Sequence, residues 1–406
     1  MSHSPRAIHF GAGSIGRGFI APLLSNSGYH VVLTDVDKDL IQTINEEKSY
    51  GVHILDTNTD TNEVQQVENV TGVISTTNDI IREMAHPDLK LVTTAVGLPI
   101  LDKIAPTIAK GIQARRKAGR GTINIIACEN AIGATAQLEE KVRAQLHDAA
   151  DAEYVDQHVG FANCSVDRIA PPFDPEEHDA DSSLDVGVEE FFEWIVDGVA
   201  LKGSKPGALD VPVEGMSLTD DLPAYNERKL FTLNAGHAIT AYLGYLKHLP
   251  TVDASIADPD IAAVVRGALH EEAGAALCRK HSSIFDSKKH DAYIDKILAR
   301  FANAAVRDEV ERVGRQPLRK LGRGDRLVGP ARMCVEHDIP VHHLATGIAA
   351  ALLYRNDEDE QSVEMCKAIE EKGLGAYVGE LTGFEEGSDV HKRIVEEYER
   401  LQKTYS

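Results

Sequence analysis

Three side chains capable of proton chemistry lie close together in residues 225–237, which read YNERKLFTLNAGH. This stretch places Lys229, Asn234 and His237 inside an otherwise apolar, helix-forming run. In an ideal α-helix, Asn234 would lie about 140° and His237 about 80° around the axis from Lys229, so the three share one broad face. An ammonium, an amide and an imidazole are costly to bury on such a face unless they have partners or a task.

One task that suits these groups is proton exchange with an alcohol. A lysine that is partly desolvated in an apolar pocket has a lowered pKa, and it can then take up or release a hydroxyl proton. Asn234 can donate an amide N–H to the developing alkoxide, and His237 can position Lys229 or a substrate hydroxyl. A helix with one surface lysine and two satisfied core polar groups is the alternative. The residues alone leave both interpretations open.

A glycine-rich turn near the start of the chain predicts a nucleotide cofactor. Gly11-x-Gly13-x-x-Gly16 follows a β-prone run and opens a helical pattern, and Asp35 ends the next β run. Glycines in this order permit a tight turn, close approach of a pyrophosphate and close helix–strand packing. Asp35 would bind the ribose hydroxyls and repel a 2′-phosphate, which favours NAD over NADP. A glycine turn that binds no nucleotide is the alternative.

Two later segments, TTAVG (93–97) and ACENAIG (127–133), end further β runs, where doubly wound sheets bind their ligands. Glu129 and Asn130 are therefore candidates for contacts with the nicotinamide ribose, although Asn130 could equally cap the following helix. The predicted cofactor contacts are Gly11, Ala12, Gly13, Ser14, Ile15, Gly16, Arg17, Gly18, Asp35, Glu129 and Asn130.

Strands that alternate with helices up to about residue 147 predict an α/β fold with a parallel, doubly wound sheet. Residues 153–172 and 184–197 resemble additional strands around an acidic loop. Beyond Asp220 the chain is Ala- and Leu-rich, with helical runs at 256–280 and 292–313. We therefore predict a Rossmann-type domain with added strands at 1–200, a linker near 198–210 and a mostly helical domain at 201–406.

The overall composition argues against several classes of partner. The chain has 64 acidic and 42 basic side chains, a net charge of −22, which disfavours nucleic acid and anionic membranes. Its five cysteines lack CxxC spacing and indicate reduced thiols in a cytoplasmic protein. No signal-peptide pattern or membrane-spanning stretch is present in the sequence. His337, His342 and His343 lack a supporting Cys/Asp set, so no metal site is predicted.

Basic residues gather locally in residues 312–326, RVGRQPLRKLGRGDR. The only acid there is Asp325, which leaves an excess of five positive charges within an acidic chain. Because arginine binds phosphate through its planar donor fork, the segment is a candidate site for a substrate phosphate. A solvated helix face paired with carboxylates is the alternative, and Lys202 or Lys205 could compete. The candidates are Arg312, Arg315, Arg319, Lys320 and Arg323.

The pattern K-x4-N-x2-H after a GxGxxGRG opening resembles the polyol-specific long-chain dehydrogenases. Matching stretches run in order from residue 9 to about 352 and include HFGAGSIGRGFI, LVTTAVG, NIIACEN, VDRIAPP, EWIVD, ERKLFTLNAGHAITAYLG, RVGRQPLRKL, GDRL and HLATGIAAAL. The resemblance implies that Lys229 is the acid/base, that Asn234 and Asn163 form an oxyanion hole, and that no metal is used. It also implies a Rossmann-type domain, a helical domain, a cleft between them and a monomer.

The resemblance also suggests a substrate. Family members that act on unphosphorylated polyols carry an arginine and a lysine eight residues apart, a spacing that Arg312 and Lys320 reproduce. The extra arginines here depart from that pattern and fit a phosphorylated substrate. The implied reaction is the reversible, NAD-dependent oxidation of D-mannitol 1-phosphate to D-fructose 6-phosphate. Alternatives are a sibling activity on free polyols or hexuronates, a zinc alcohol dehydrogenase, and an NAD-binding protein without catalysis.

Overall fold

A computed structural model describes residues 4–56, 63–178 and 180–405 of the chain. Within it, the chain divides into two compact units, one ending at Tyr225 and the other beginning at Asn226. In the described residues, no helix is both long enough and apolar enough to cross a membrane. All five cysteines are free thiols.

The first unit contains the strands of the fold. They are β1 (Arg6–Phe10), β2 (His30–Asp35), β3 (Tyr50–Ile54), β4 (Val64–Val67), β5 (Val70–Ile74), β6 (Leu89–Thr94), β7 (Ile123–Ala127), β8 (Val159–Phe161), β9 (Cys164–Asp167), β10 (Val186–Val188), β11 (Glu193–Asp197) and β12 (Met216–Thr219). Six of them form a parallel sheet in the order β5-β2-β1-β6-β7-β8. Two three-stranded sheets, β10-β3-β4 and β12-β11-β9, are the added strands.

Helices cover the parallel sheet because its strands are apolar on both faces. Ala7 and Val31 point into one core cluster, and Ile8 and Val32 point into another on the opposite face. The helices up to residue 229 are a π-helical segment at Gly16–Ile20, α1 (Ala21–Asn26), α2 (Lys38–Glu47), α3 (Asn78–Met84), α4 (Leu98–Lys117), α5 (Ala134–Arg143), α6 (Ala149–His158), a 3₁₀ turn at Gly198–Ala200 and α7 (Leu222–Lys229). The predicted doubly wound α/β fold is confirmed.

The second unit is built from helices, with an isolated β-bridge between Thr251 and Glu309 in its described part. The helices are a π-helical segment at Leu230–Asn234, α8 (Ala235–Leu246), α9 (Val252–Ile256), α10 (Pro259–Arg266), a second π-helical segment at Gly267–Ala273, α11 (Gly274–Lys280), α12 (Ser287–Phe301), α13 (Val310–Gly314), α14 (Pro317–Lys320), α15 (Val328–Glu336), α16 (His343–Leu352), α17 (Glu360–Lys372), α18 (Leu374–Thr382) and α19 (Asp389–Tyr405).

Helices α8 and α16 form the centre of the second unit and are buried on nearly every side. Such all-round burial requires an apolar sequence, which the Ala- and Gly-rich run HLATGIAAAL supplies. A Cβ atom added at Gly347 would lie 2.6 Å from Cγ1 of Ile239, so only glycine permits this close approach of the two helices. The mostly helical second domain is therefore confirmed.

Two predicted elements were wrong in detail. Residues 153–158 were expected to begin a strand, but they complete helix α6. Asp148 caps the N-terminus of this helix by accepting the N–H of Ala150 at 2.9 Å. The helical run expected at 292–313 is interrupted between α12 and α13. There Asn303 accepts the N–H of Ala305 at 3.0 Å, a local side-chain turn that competes with the helix.

A short segment after the predicted linker also forms a strand. β12 pairs in parallel with β11 from Trp194↔Met216 to Asp197↔Thr219. β12 thus belongs to a sheet of the first unit, whereas the sequence prediction assigned 201–406 to the second domain.

Candidate active site

The glycine turn after β1 is shaped by close contacts at its first and third glycines. Gly11 has a φ of +102°, and a Cβ there would lie 2.4 Å from the carbonyl oxygen of Ala95. A Cβ at Gly16 would lie 1.9 Å from the carbonyl oxygen of Gly11. At Gly13, by contrast, a Cβ would meet nothing within 4 Å. The turn therefore offers open space at its second glycine, where a dinucleotide-binding turn needs it for the pyrophosphate.

The helix that follows the turn begins with an exposed residue, and a later residue packs against a neighbouring strand. It is helical from Ser14, which is exposed, and Arg17 donates its N–H to the carbonyl of Gly13 at 2.9 Å. Gly18 was predicted as a cofactor contact, but a Cβ there would lie 2.6 Å from Cγ1 of Val188. Gly18 is thus explained by the packing of this helix against β10, and its role toward a cofactor stays a prediction.

Asp35 connects the end of β2 to the glycine turn. Its Oδ2 accepts the N–H of Ala12 at 2.9 Å, and its Oδ1 accepts the N–H groups of Val36 at 2.7 Å and Asp37 at 3.2 Å. These bonds hold a half-buried negative charge beside the turn. An acid in this position discriminates against a 2′-phosphate by charge repulsion, as expected for an NAD site.

Glu129 has a structural role that the sequence did not suggest. It is 6% exposed, and its carboxylate accepts the hydroxyl of Thr94 at 2.7 Å and the N–H groups of Val96 at 3.0 Å and Gly97 at 2.8 Å. It therefore fixes the loop after β6 to the end of β7, and both lie at the carboxyl edge of the sheet. Asn130 is exposed, and Gly133 occupies the N-cap position of α5. Contacts of Glu129 and Asn130 with a cofactor stay predictions.

Asn163 follows the carboxyl end of β8 and is half-buried. Its Oδ1 accepts the N–H of Ala136 in the first turn of α5 at 3.1 Å, and its backbone carbonyl accepts the N–H of Asp197 at 2.9 Å. Because the amide oxygen is used in this way, the Nδ2 group carries the donors. The role of this group as an oxyanion donor stays a prediction.

The Lys–Asn–His motif spans a π-helical turn. Lys229 ends α7, Leu230–Asn234 is the π-helical segment, and Ala235 donates its N–H to the carbonyl of Leu230, five residues earlier. A turn closed by such bonds contains more residues than an α-helical turn, so each residue rotates less around the axis. The 140° expected between Lys229 and Asn234 was therefore wrong, because it assumed a regular α-helix. The π turn brings their directions closer together.

The motif residues differ in burial from the core residues of the same helix. Phe231, Thr232 and Leu233 are buried, whereas Lys229, Asn234 and His237 are each half-buried. The three motif residues are thus less buried than the core residues between Lys229 and Asn234, and their placement on one face stays a prediction. A π turn within a longer helix is frequently found at a functional site.

His237 is held by two neighbours in the second unit. Its Nε2 lies 2.9 Å from Oδ2 of Asp308, and its ring stacks on Phe301 with a centroid distance of 5.4 Å and an interplanar angle of 17°. Burial acts to raise the pKa of Asp308, but the hydrogen bond and charge of His237, followed by those of Arg312, outweigh burial and lower this pKa. Asp308 is therefore a carboxylate that sequence reasoning missed. The sequence did contain one signal of an ion pair, because Asp308 lies four residues before Arg312.

The basic segment is not a single cluster of available cations. Arg312 makes a two-pronged pair with Asp308, from Nε to Oδ1 and from Nη2 to Oδ2, both at 2.7 Å. Lys320 is 5% exposed, and its ammonium donates to the carbonyls of Val313 at 2.6 Å and of Arg315. Burial, and then the charges of Arg326 and Arg319, lower the pKa of Lys320 to about 7. Lys320 thus stabilises the C-terminal end of α13.

The other three candidate arginines are exposed. Arg319 donates its Nε to Oε1 of Gln316 at 2.9 Å, and Arg323 donates Nη2 to the carbonyl of Glu380 at 2.9 Å. Between Arg315 and α14, Gln316 has a φ of +60°, a left-handed conformation that is strained for a residue with a side chain.

The histidines considered as metal ligands lie at or before a helix terminus. The backbone N–H groups of His342 and His343 donate to Oε1 of Glu272, both at 2.7 Å, at the start of α16. Within residues 4–56, 63–178 and 180–405, no group of three or more His, Cys, Asp or Glu side chains is arranged to hold a metal ion.

Comparison with known proteins identifies both units. Residues 5–208 match the mannitol dehydrogenase Rossmann domain, and residues 221–402 match the mannitol dehydrogenase C-terminal domain. The Rossmann match confirms the predicted NAD-binding type of domain. Together the two matches cover nearly all of the chain.

Solved structures show the same fold at low sequence identity. A D-sorbitol dehydrogenase in substrate-free form superposes with a TM-score of 0.82 and 16% identity, covering 99% of this chain and 94% of that one. The mannitol 2-dehydrogenase of Pseudomonas fluorescens, determined with NAD and D-mannitol, gives a TM-score of 0.68 and 19% identity, covering 99% and 92%. From the two domain matches, the chain belongs to the mannitol dehydrogenase family.

Proposed function

We propose that this polyol dehydrogenase is a mannitol-1-phosphate 5-dehydrogenase, which interconverts D-mannitol 1-phosphate and D-fructose 6-phosphate with NAD. The observation that carries the phosphate assignment is the Asp308 carboxylate. It binds His237 of the motif at 2.9 Å and Arg312 of the basic segment at 2.7 Å, and so places that segment next to the motif helix. The proposal extends to a cytoplasmic monomer. The net charge of −22 supports the further expectation that nucleic acids and anionic membranes are not partners.

The motif residues perform the proton chemistry. Lys229, in its neutral form, takes the proton of the C5 hydroxyl during oxidation, and as an ammonium it returns that proton during reduction. NAD, when bound, accepts the hydride that leaves C5. Asn234 and Asn163 donate amide N–H groups to the alkoxide oxygen, and His237 orients a substrate hydroxyl. One proton and one hydride thus leave the alcohol, and a ketone remains.

The residues proposed to hold NAD are those of the glycine turn and Asp35. The open space at Gly13 and the fixed carboxylate at Asp35 support this assignment. The N–H groups at the start of a helix suit a pyrophosphate. The acid suits the ribose hydroxyls of NAD.

Arg315 and Arg319 are the proposed phosphate ligands. Both are exposed; Arg315 directly precedes the strained residue Gln316, and Arg319 lies three residues after it. The fork of Arg312 is already used by Asp308, and the ammonium of Lys320 is used by backbone carbonyls. A guanidinium that keeps its terminal N–H groups toward solvent can bind two phosphate oxygens at once.

Replacing one phosphate ligand tests this assignment. Arg315→Ala is expected to raise the KM for fructose 6-phosphate about tenfold or more, because it removes a charge-assisted hydrogen bond. The activity with fructose should not change, since fructose has no phosphate. Arg323→Ala is the matched control, because it removes an exposed arginine of the same segment. An equal rise in KM for both sugars, or the same rise in the control, would contradict the assignment.

A substrate panel tests the function as a whole. NADH oxidation is measured with fructose 6-phosphate, fructose and a hexuronate, each with and without EDTA. Fructose 6-phosphate should give the highest kcat/KM, and chelation should leave that value unchanged. Equal values for fructose and its phosphate would defeat the phosphate assignment and favour a mannitol 2-dehydrogenase. Tight NADH binding without turnover of any sugar would identify a non-catalytic protein.

A further inference from the structure

Asp308 is a buried carboxylate that the proposed chemistry leaves unused. Its side chain is 10% exposed, and both of its oxygens are engaged, by Nε2 of His237 and by the fork of Arg312. Removing a carboxylate from water is costly unless strong partners replace the water. Packing alone does not require a charged side chain at this position. The presence of a buried carboxylate with these partners therefore needs an explanation.

The backbone around Asp308 is held in place independently of its side chain. Its carbonyl accepts the N–H of Val252 at 2.9 Å, and Val310 donates its N–H to the carbonyl of Pro250 at 3.0 Å. The Thr251–Glu309 bridge lies between these two bonds. The carboxylate is therefore presented from a fixed segment, and its contact with His237 does not depend on a mobile loop.

The imidazole of His237 is consequently restrained from two directions. Phe301 packs against the face of the ring, and Asp308 binds its Nε2 edge. An ionised carboxylate can only accept hydrogen bonds, so Nε2 must carry the proton. In the neutral ring, Nδ1 then carries the lone pair and can accept a hydrogen bond.

We propose that Asp308 is a positioning residue that sets the tautomer and direction of His237, so that Nδ1 accepts a hydrogen bond from a substrate hydroxyl. This inference rests on the proposed polyol dehydrogenase activity and assigns a cause to the role of His237 in it. Arg312 balances the charge of the carboxylate and keeps it ionised. The ion pair of Arg312 with Asp308 therefore helps to position His237 of the motif, in addition to any contact of Arg312 with substrate.

The test compares Asp308→Asn with Asp291→Asn. The amide introduced by Asp308→Asn can donate as well as accept, and so it permits the other tautomer of His237. We expect kcat with fructose 6-phosphate, or with whichever sugar the wild type reduces, to fall about ten- to hundredfold while NADH affinity stays unchanged. Asp291 binds Nδ1 of His270 at 3.1 Å in an exposed pair of the same unit. Its variant should keep the wild-type kcat.

A double-mutant cycle shows whether Asp308 acts through His237. In a His237→Gln background, Asp308→Asn should have little further effect on kcat, since the group that it positions is already absent. A further fall by the same factor, or an unchanged kcat in the single variant, would overturn the inference. Should Asp308→Asn not fold, Asp308→Glu displaces the same carboxylate by one methylene and gives the same comparison.

The imidazole tautomer gives a readout that does not depend on turnover. With ¹⁵N-labelled histidine, His237 should show a protonated Nε2 and an unprotonated Nδ1 in the wild type, and this pattern should change in Asp308→Asn. An unprotonated Nε2 in the wild type would refute the inference even if the enzyme is active. Absence of activity with every sugar, together with the expected tautomer, would refute the proposed function and leave the positioning role of Asp308 standing.

Discussion

Lys229→Ala is expected to lower kcat for fructose 6-phosphate reduction by about 10²- to 10⁴-fold, the usual contribution of a general acid–base group. Alanine cannot supply the proton that the new alkoxide needs, and the half-buried side of the helix restricts replacement by water. The affinity for NADH should stay near the wild-type value, because its proposed ligands lie in the glycine turn and at Asp35. Steady-state NADH oxidation and a fluorescence titration with NADH measure the two quantities.

A second lysine on the same continuous helix serves as the control. Lys247 is the C-cap residue of α8 and pairs with Asp258 at 2.7 Å and with Asp260 at 3.1 Å. Lys247→Ala removes a peripheral ion pair and should leave kcat unchanged. If Lys229→Ala kept wild-type turnover, the acid–base role would have to be given up.

The fold of the first unit could be predicted because its signals are local. The central strands of the parallel sheet are buried on both faces and therefore read as mostly apolar runs, such as INIIA at β7, in which Asn124 is the one polar residue. The glycine turn is local in part: a side chain at Gly16 would meet the carbonyl of Gly11 within the same strand–turn–helix unit, whereas a side chain at Gly11 would meet Ala95, which follows β6.

Segments whose sequence pattern fits two kinds of secondary structure could not be assigned in the same way. EYVDQH, at residues 153–158, combines β-prone Tyr154 and Val155 with polar neighbours, and its helix depends on the cap at Asp148. The π-helical turn at Leu230–Asn234 adds no distinctive hydrophobic pattern, because a single turn is too short to shift the period of a long helix. The angle between Lys229 and Asn234 was therefore beyond the reach of sequence reasoning.

Charge counting identified the basic segment but not how each charge is used. Arg312 and Lys320 contribute to the local excess of positive charge just as Arg315 does. In the fold, the first is neutralised by Asp308 and the second is buried against the carbonyls at the end of α13. Those partners are set by tertiary packing, which composition does not encode.

Asn234→Ala is expected to lower kcat by about 10²- to 10³-fold, the cost of losing one donor to an oxyanion. The ground-state ketone needs this N–H less than the developing alkoxide does, so the KM for fructose 6-phosphate should change little. Asn234→Asp is the matched variant, because it keeps the size of the side chain but replaces the amide donor with an anion. We expect its kcat to fall at least as far, whereas a purely steric role for Asn234 predicts near wild-type turnover. Measuring kcat and KM for both variants beside wild type separates these cases, and full activity in the aspartate variant would exclude the oxyanion role.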